Sequence, residues 1–231
     1  MALPKIVHPT YNITLPSTKK KINIRPFTVQ EEKLLFMAKA SDNPADVLSS
    51  VKQIIKNCII DKVDVDKLAT FDIEYLFIKL RAKSVGEVID LEYTEPGSKD
   101  PIKFKINLDN IEVNFNPDHT NKIIVKDDIG IVMRYPSLEE IAIINNAENE
   151  EDAAFEVLLS CVDKIFDKDT VYSDFTKQDL NEFVNNLPFD AMQKLKNFFE
   201  TMPAVEHTVK LKNKQGEEKT IVLKGISSFF L

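Results

Sequence analysis

Between Leu68 and Lys83 the apolar residues Phe71, Ile73, Tyr75, Leu76, Phe77, Ile78 and Leu80 point to nearly every side of a helix. A helix with that pattern is central and covered on most sides. Whatever this chain folds into is therefore organised around that segment. The stretch before it is one-sided: Val47, Leu48, Val51, Ile54, Ile55, Cys58 and Ile59 form a single stripe at helical spacing, so one face packs on a core. Asn43 as cap and Pro44 at the first helical position predict where this helix starts. An earlier helix is predicted from Thr28, whose side chain can cap it while Glu31 returns the bond.

Strand periodicity appears on either side of these helices. Tyr11 to Phe27 alternates loosely around Pro16-Ser17-Thr18-Lys19, which predicts a hairpin. Beyond Gly86 the period becomes two, with Ile89, Leu91 and Tyr93 and then Ile102, Phe104, Ile106 and Leu108 facing one way. Short strands are predicted at Ile111 to Phe115, Lys122 to Lys126 and Ile129 to Tyr135. Pro136 and Ser137 open another helix. Phe155, Leu158, Leu159, Val162, Ile165 and Phe166 read as the next helical stripe, Leu180 to Leu187 as another, and Phe189 to Met202 as the last. Val205, His207, Val209 and Leu211 alternate with charged neighbours and are answered by Ile221 and Leu223, which predicts a C-terminal hairpin.

The expected fold is therefore α+β, mainly helical, with an inserted small antiparallel β region and a C-terminal β-hairpin. Three segments are expected: residues 1–86, a hairpin plus helices; residues 87–135, the inserted β region; and residues 136–231, helices with the hairpin and an apolar tail, forming one folding unit with the first segment. At 231 residues the chain suits one large domain or two small ones. No internal repeat is found along it.

The residue clusters that enzymes require are missing from the sequence. Five isolated glycines build no phosphate-cradling loop. His8, His119 and His207 lie far apart and outside metal-ligand spacing, so no metal, cofactor or catalytic residue is expected. Cys58 and Cys161 fall on apolar stripes, where thiols are inert, and two cysteines make no disulfide framework. Asp61, Asp64 and Asp66 lack the glycine and bidentate glutamate of a calcium loop. Capping of the next helix explains them better. A net charge of -7 argues against nucleic acid as a partner. No apolar run approaches the ~20 residues of a membrane helix. The first residues carry no continuous apolar h-region, so no signal peptide is expected and the chain is placed in the cytoplasm.

Two features point instead to protein binding. The chain closes on Ile226, Phe229, Phe230 and Leu231, whereas chain ends are usually polar. Such a segment either folds back onto its own core, the reading favoured by how common buried ends are, or inserts into a partner, for which these four are the candidate binding residues. Acidic Glu217 and Glu218, or Glu148 to Asp152, could rim such a contact and favour a basic partner.

A resemblance completes the reading. Met1 to Lys5, Pro9-Thr10-Tyr11, Leu15-Pro16-Ser17 and Arg25 to Lys33 resemble the opening of the baseplate hub subunits of T-even-like contractile-tailed bacteriophages. The likeness continues through Val51 to Cys58 and Val63 to Leu68, and is strongest at Phe71 to Phe77 and Arg81 to Glu87. The tip of the β region, Thr94 to Pro101, holds no cysteine, so the resemblance implies no metal there. It implies a non-enzymatic hub assembly protein, a chaperone-like factor binding hub or tape-measure proteins. The alternative is a structural hub subunit retained in the virion baseplate, and the distant third is a carboxylate-based metal-dependent enzyme. Oligomeric state is not legible in the sequence.

Overall fold

The structure, a computed structural model, describes residues 4, 6–40, 44–95, 100–145, 147–212 and 216–230. The chain divides into two compact units. The first joins Met1–Asn114 to Ala204–Leu231, and the second is Phe115–Pro203.

The first unit opens with the antiparallel strands β1 (Tyr11–Thr14) and β2 (Lys21–Ile24), with Ile13 opposite Ile22. Helices α1 (Val29–Ala40), α2 (Pro44–Cys58) and α3 (Thr70–Ser84) follow. Asn43, the predicted cap of α2, lies outside the described residues. Helix α3 is the centre that its all-round apolar pattern demands. Phe71, Ile73, Leu76, Phe77, Ile78 and Leu80 are all buried. Two polar side chains share that burial and are satisfied. Asp72 accepts the Ser17 N–H at 2.9 Å and the Ser17 hydroxyl, tying the first hairpin to α3. Lys79 donates to the carbonyls of Asp109 at 2.7 Å and Leu108 at 3.4 Å. Strands β3 (Val88–Thr94) and β4 (Pro101–Asn107) then pair in register, Ile89 opposite Ile106 and Leu91 opposite Phe104. The two-residue strand β5 (Val113–Asn114) ends this part.

The second unit contains β6 (Lys122–Lys126), β7 (Ile129–Met133), α4 (Leu138–Asn145), α5 (Glu150–Ser160), β8 (Val162–Phe166), β9 (Val171–Tyr172), α6 (Lys177–Asn185) and α7 (Phe189–Thr201). Its sheet runs β6-β7-β8-β9, all antiparallel. Ile131, Met133, Val157, Leu158, Cys161, Leu195 and Phe198 form the core beneath it. Helix α6 begins with a capping box between Thr176 and Asp179, satisfying two backbone donors that would otherwise be open. The chain then returns to the first unit as β10 (Ala204–Lys212), β11 (Glu218–Lys224) and the four-residue helix α8 (Ser227–Phe230).

These observations correct the expected architecture. The fold is α+β but not mainly helical, because eleven strands in four sheets alternate with the helices among the described residues. The C-terminal strands are not a free-standing hairpin, since β10 pairs with β11 on one edge and with β5 on the other. Nor is the middle β region one body. Strands β3 and β4 belong to the first unit, while β6 and β7 take β8 and β9 as sheet partners in the second. The segment Val162–Phe166 is strand, not the continuation of a helical stripe. Helix α5 stops at Ser160, and the Cys161 N–H closes its last turn on Val157 and Leu158.

The structure also contains a repeat that the sequence does not display. In each unit a hairpin leads into an arginine, then two helices, then a buried cysteine whose carbonyl accepts that arginine's N–H. Arg25 N–H bonds Cys58 O at 2.9 Å, and Arg134 N–H bonds Cys161 O at 2.8 Å. The chain after the cysteine returns to the second strand of the hairpin, as a single bridge from Ile59 to Ile24 in one unit and as strand β8 on β7 in the other.

Candidate interaction surfaces

Each repeat is locked by a buried or half-buried glutamate. The Arg25 guanidinium grips Glu31 with two bonds, Nη2 to Oε1 at 2.9 Å and Nη1 to Oε2 at 3.2 Å. Glu31 also accepts the Thr28 N–H at 2.8 Å, the Thr28 hydroxyl, and Asn57 Nδ2 at 3.4 Å. In the second unit Arg134 holds Glu140 the same way, at 2.6 and 2.9 Å, and Glu140 accepts the Ser137 N–H at 2.8 Å and the Ser160 hydroxyl at 2.7 Å. Asn57 and Ser160 each stand immediately before the cysteine. Burial alone would raise the Glu31 carboxyl, but the hydrogen bonds from Arg25 and Thr28 outweigh it and hold it down to about 2. Burial is likewise outweighed at Glu140 by Arg134, Ser137 and Ser160, again giving about 2. Burial pushes both thiols, Cys58 and Cys161, up to about 12. Thiols of that kind are poor nucleophiles.

The first clasp fixes where α1 starts, and α1 presents apolar surface to solvent. Val29 is 80% exposed, Phe36 74% and Met37 63%. Their i, i+7 and i+8 spacing puts them on one side of the helix. Single exposed hydrophobics are ordinary, whereas a contiguous apolar patch marks an interaction site. The sequence reading missed this surface. The signal was available, since Leu34, Leu35, Phe36 and Met37 follow one another and cannot all face one core.

The chain end sits differently from its apolar appearance. Phe229 is 2% exposed and packs with Ile78, Ile106, Val205 and Leu223 in the core of the first unit. Its ring is thus part of the fold and offers no docking surface in this conformation. Ile226 is half-buried, and its N–H is held by the carboxylate of Glu74. Burial, only partly opposed by this bond and by Lys224, raises Glu74 to about 7. Leu231 and the side chain of Phe230 lie outside the described residues.

The other groups singled out from the sequence have structural partners. His119 bridges Thr201 Oγ1 at 3.0 Å and Tyr135 Oη at 3.1 Å, and burial lowers its pKa. His207 is half-buried on β10, opposite Leu223, and His8 is exposed. Asp61 accepts the Asn23 N–H at 2.5 Å, and Asp66 pairs with Lys52 and Lys56. Within the run Glu148 to Asp152, Asn149 caps α5 through the N–H groups of Glu151 and Asp152, and Glu148, Glu151, Asp152, Glu217 and Glu218 are exposed. A cleft of 480 Å³ beside β6 and α7 is crossed by Lys194, which bonds the Ile124 carbonyl and pairs with Asp190. Among the described residues no cluster of His, Cys, Asp or Glu could hold a metal ion, and no helix is long and apolar enough to cross a membrane.

Compared with protein-family models, residues 8–231 match the one described as T4 bacteriophage base plate protein. The chain belongs to this family. Membership of the T4 base plate family gives the chain a structural or assembly role connected with the phage baseplate. Its family does not distinguish a hub subunit from other baseplate components. No curated protein and no solved structure matches this base plate protein.

Proposed function

We propose that this base plate protein is an assembly factor of the baseplate hub, a chaperone-like chain that holds a hub or tape-measure protein by non-covalent contact until the baseplate forms. The match to the base plate family over residues 8–231 carries the reading. The apolar stripe on α1 supplies a physical means. Covering Val29, Phe36 and Met37 would remove exposed aliphatic and aromatic surface from water at ~25 cal/mol per Å². An aromatic anchor such as Phe36 is the residue type that dominates interface energies. The chain end contributes a second contact in this proposal, through Ile226, Phe230 and Leu231. Phe229 acts from inside by pinning that end to the core. The exposed carboxylates of Glu148 to Asp152 steer a basic partner and make association sensitive to salt.

The family description itself favours a second reading, in which the chain is a structural hub subunit that stays in the particle. Quantitative mass spectrometry of assembly intermediates and of purified mature particles separates the two. An assembly factor is present in the intermediates and lost from the particles. A chain found in particles at a fixed copy number would establish the structural subunit and overturn the chaperone reading.

A further inference from the structure

Strands β3 and β11 are both sheet edges. Among the described residues β3 pairs only with β4, and β11 is the outer strand of the order β11-β10-β5. Their inner faces belong to one apolar cluster with Phe229 beneath, yet Leu91, Phe104 and Ile221 are only partly covered. The unfilled space is a groove of 640 Å³, bordered by the whole run Val88 to Tyr93 along one side and by Ile221 and Leu223 along the other. A run of consecutive residues lining a groove means that the strand presents its edge, because successive side chains alternate between faces. Among the described residues that edge has no strand partner, which leaves its outward N–H and C=O groups open to one.

Arg81 also lines the groove. Among the described residues its guanidinium makes no hydrogen bond or ion pair, unlike Arg25 and Arg134. Burial lowers its pKa despite the neighbouring charge of Glu32. No carboxylate lies within ion-pair distance of Arg81 among the described residues, so its partly desolvated guanidinium can grip an incoming acidic side chain with two parallel bonds. By contrast, the acids on the outer face of β3 are already matched, Asp90 with Lys105 and Glu92 with Lys103.

We propose that the groove between β3 and β11 receives an extended segment of a partner protein as an added strand, with apolar side chains at alternate positions between the two sheets and one acidic side chain on Arg81. Backbone pairing along β3 gives the affinity, and the alternate pockets and the arginine give the selectivity. The inference deepens the protein-binding reading by naming the chemistry of a partner. The lining of the groove includes no residue of α1, so variants at Phe36 and Met37 test the α1 stripe and Arg81→Glu tests the groove.

The test uses the full chain and two synthetic peptides, one with Val and Ile alternating with Thr and a terminal Glu, the other identical but with Lys in place of that Glu. Binding is followed by amide hydrogen exchange and by titration calorimetry. The acidic peptide is expected to slow exchange of alternate amides in β3 and to bind about tenfold more tightly than the basic one. Arg81→Glu should reverse that preference, and circular dichroism of the variant checks that it remains folded. Reversal by charge exchange is a readout that misfolding cannot mimic. Protection confined to other elements, an unchanged preference in the variant, or no binding at millimolar peptide would overturn the proposal. So would a dimer dissociated by Arg81→Glu, which would make a second copy the occupant.

Discussion

Arg25 and Glu31 form a two-pronged ion pair whose geometry recurs between Arg134 and Glu140, down to the N–H of a Thr or Ser three residues before the glutamate. The two pairs differ in exposure. Glu31 keeps 2% of its side-chain surface beside an arginine at 24%, whereas Glu140 keeps 14% beside one at 44%. Removing the charge from the drier pair leaves a guanidinium with poorer compensation. Glu31→Gln should therefore cost about 3 kcal/mol and Glu140→Gln about 1–2 kcal/mol. Chemical denaturation of both variants checks the order. Equal losses would show that the exposure difference is irrelevant.

The pH dependence has two opposed parts. Glu31 and Glu140 have folded-state pKa values lowered from 4.5 to about 2, so their contribution is complete above pH 4.5 and is lost as pH falls from there towards 2. Glu74 is the reverse. Its folded pKa is raised from 4.5 to about 7, so the stability it contributes is complete below 4.5 and is lost as pH rises to 7. The loss is up to about 3 kcal/mol at 1.36 kcal/mol per unit. Glu74→Gln keeps an acceptor for the Ile226 N–H and should flatten the decline between pH 4.5 and 7. A variant with the same slope as the parent would assign that slope to other groups.

Phe77 and Phe229 are both almost wholly buried in the first unit. Phe77→Ala and Phe229→Ala should each cost about 3–5 kcal/mol in chemical denaturation. A loss below about 1 kcal/mol for Phe229→Ala would mean that α8 detaches readily and that its ring is available to a partner after all.

Cys58 and Cys161 have no exposed surface. Neither should react with iodoacetamide at pH 8 in the folded protein, and both should react once it is denatured, as intact-mass analysis would record. Rapid alkylation of either in the native state would contradict the burial described for it.

The legible parts of the fold were those where one period dominates. Helix α3 was evident because apolar residues on every side admit only a covered helix, and β3, β4 and β10 because charged and apolar residues alternate without interruption. Strand β8 was hidden because Val162, Ile165 and Phe166 continue the spacing of α5, and no glycine or proline marks the break at Cys161. The repeat was hidden for another reason. Its halves share an arginine, a hydroxyl residue, a glutamate and a cysteine, separated by helices of different length, so what recurs is hydrogen bonding more than sequence. The place of Phe229 was not legible because an apolar segment looks the same whether it folds back or reaches out. Phe229 is fixed by distant partners such as Ile78 and Val205, which no local pattern reveals.

The most direct test of the proposed role is native mass spectrometry of the chain co-expressed with hub and tape-measure proteins, comparing the parent with a Phe36→Asp, Met37→Asp double variant. Both positions are exposed, so the variant should fold, which circular dichroism confirms independently. The parent is expected to form a complex of fixed stoichiometry with one of these proteins, and the variant to lose it at least about tenfold in affinity. A parent that binds neither protein, or a folded variant that binds as well as the parent, would contradict the account.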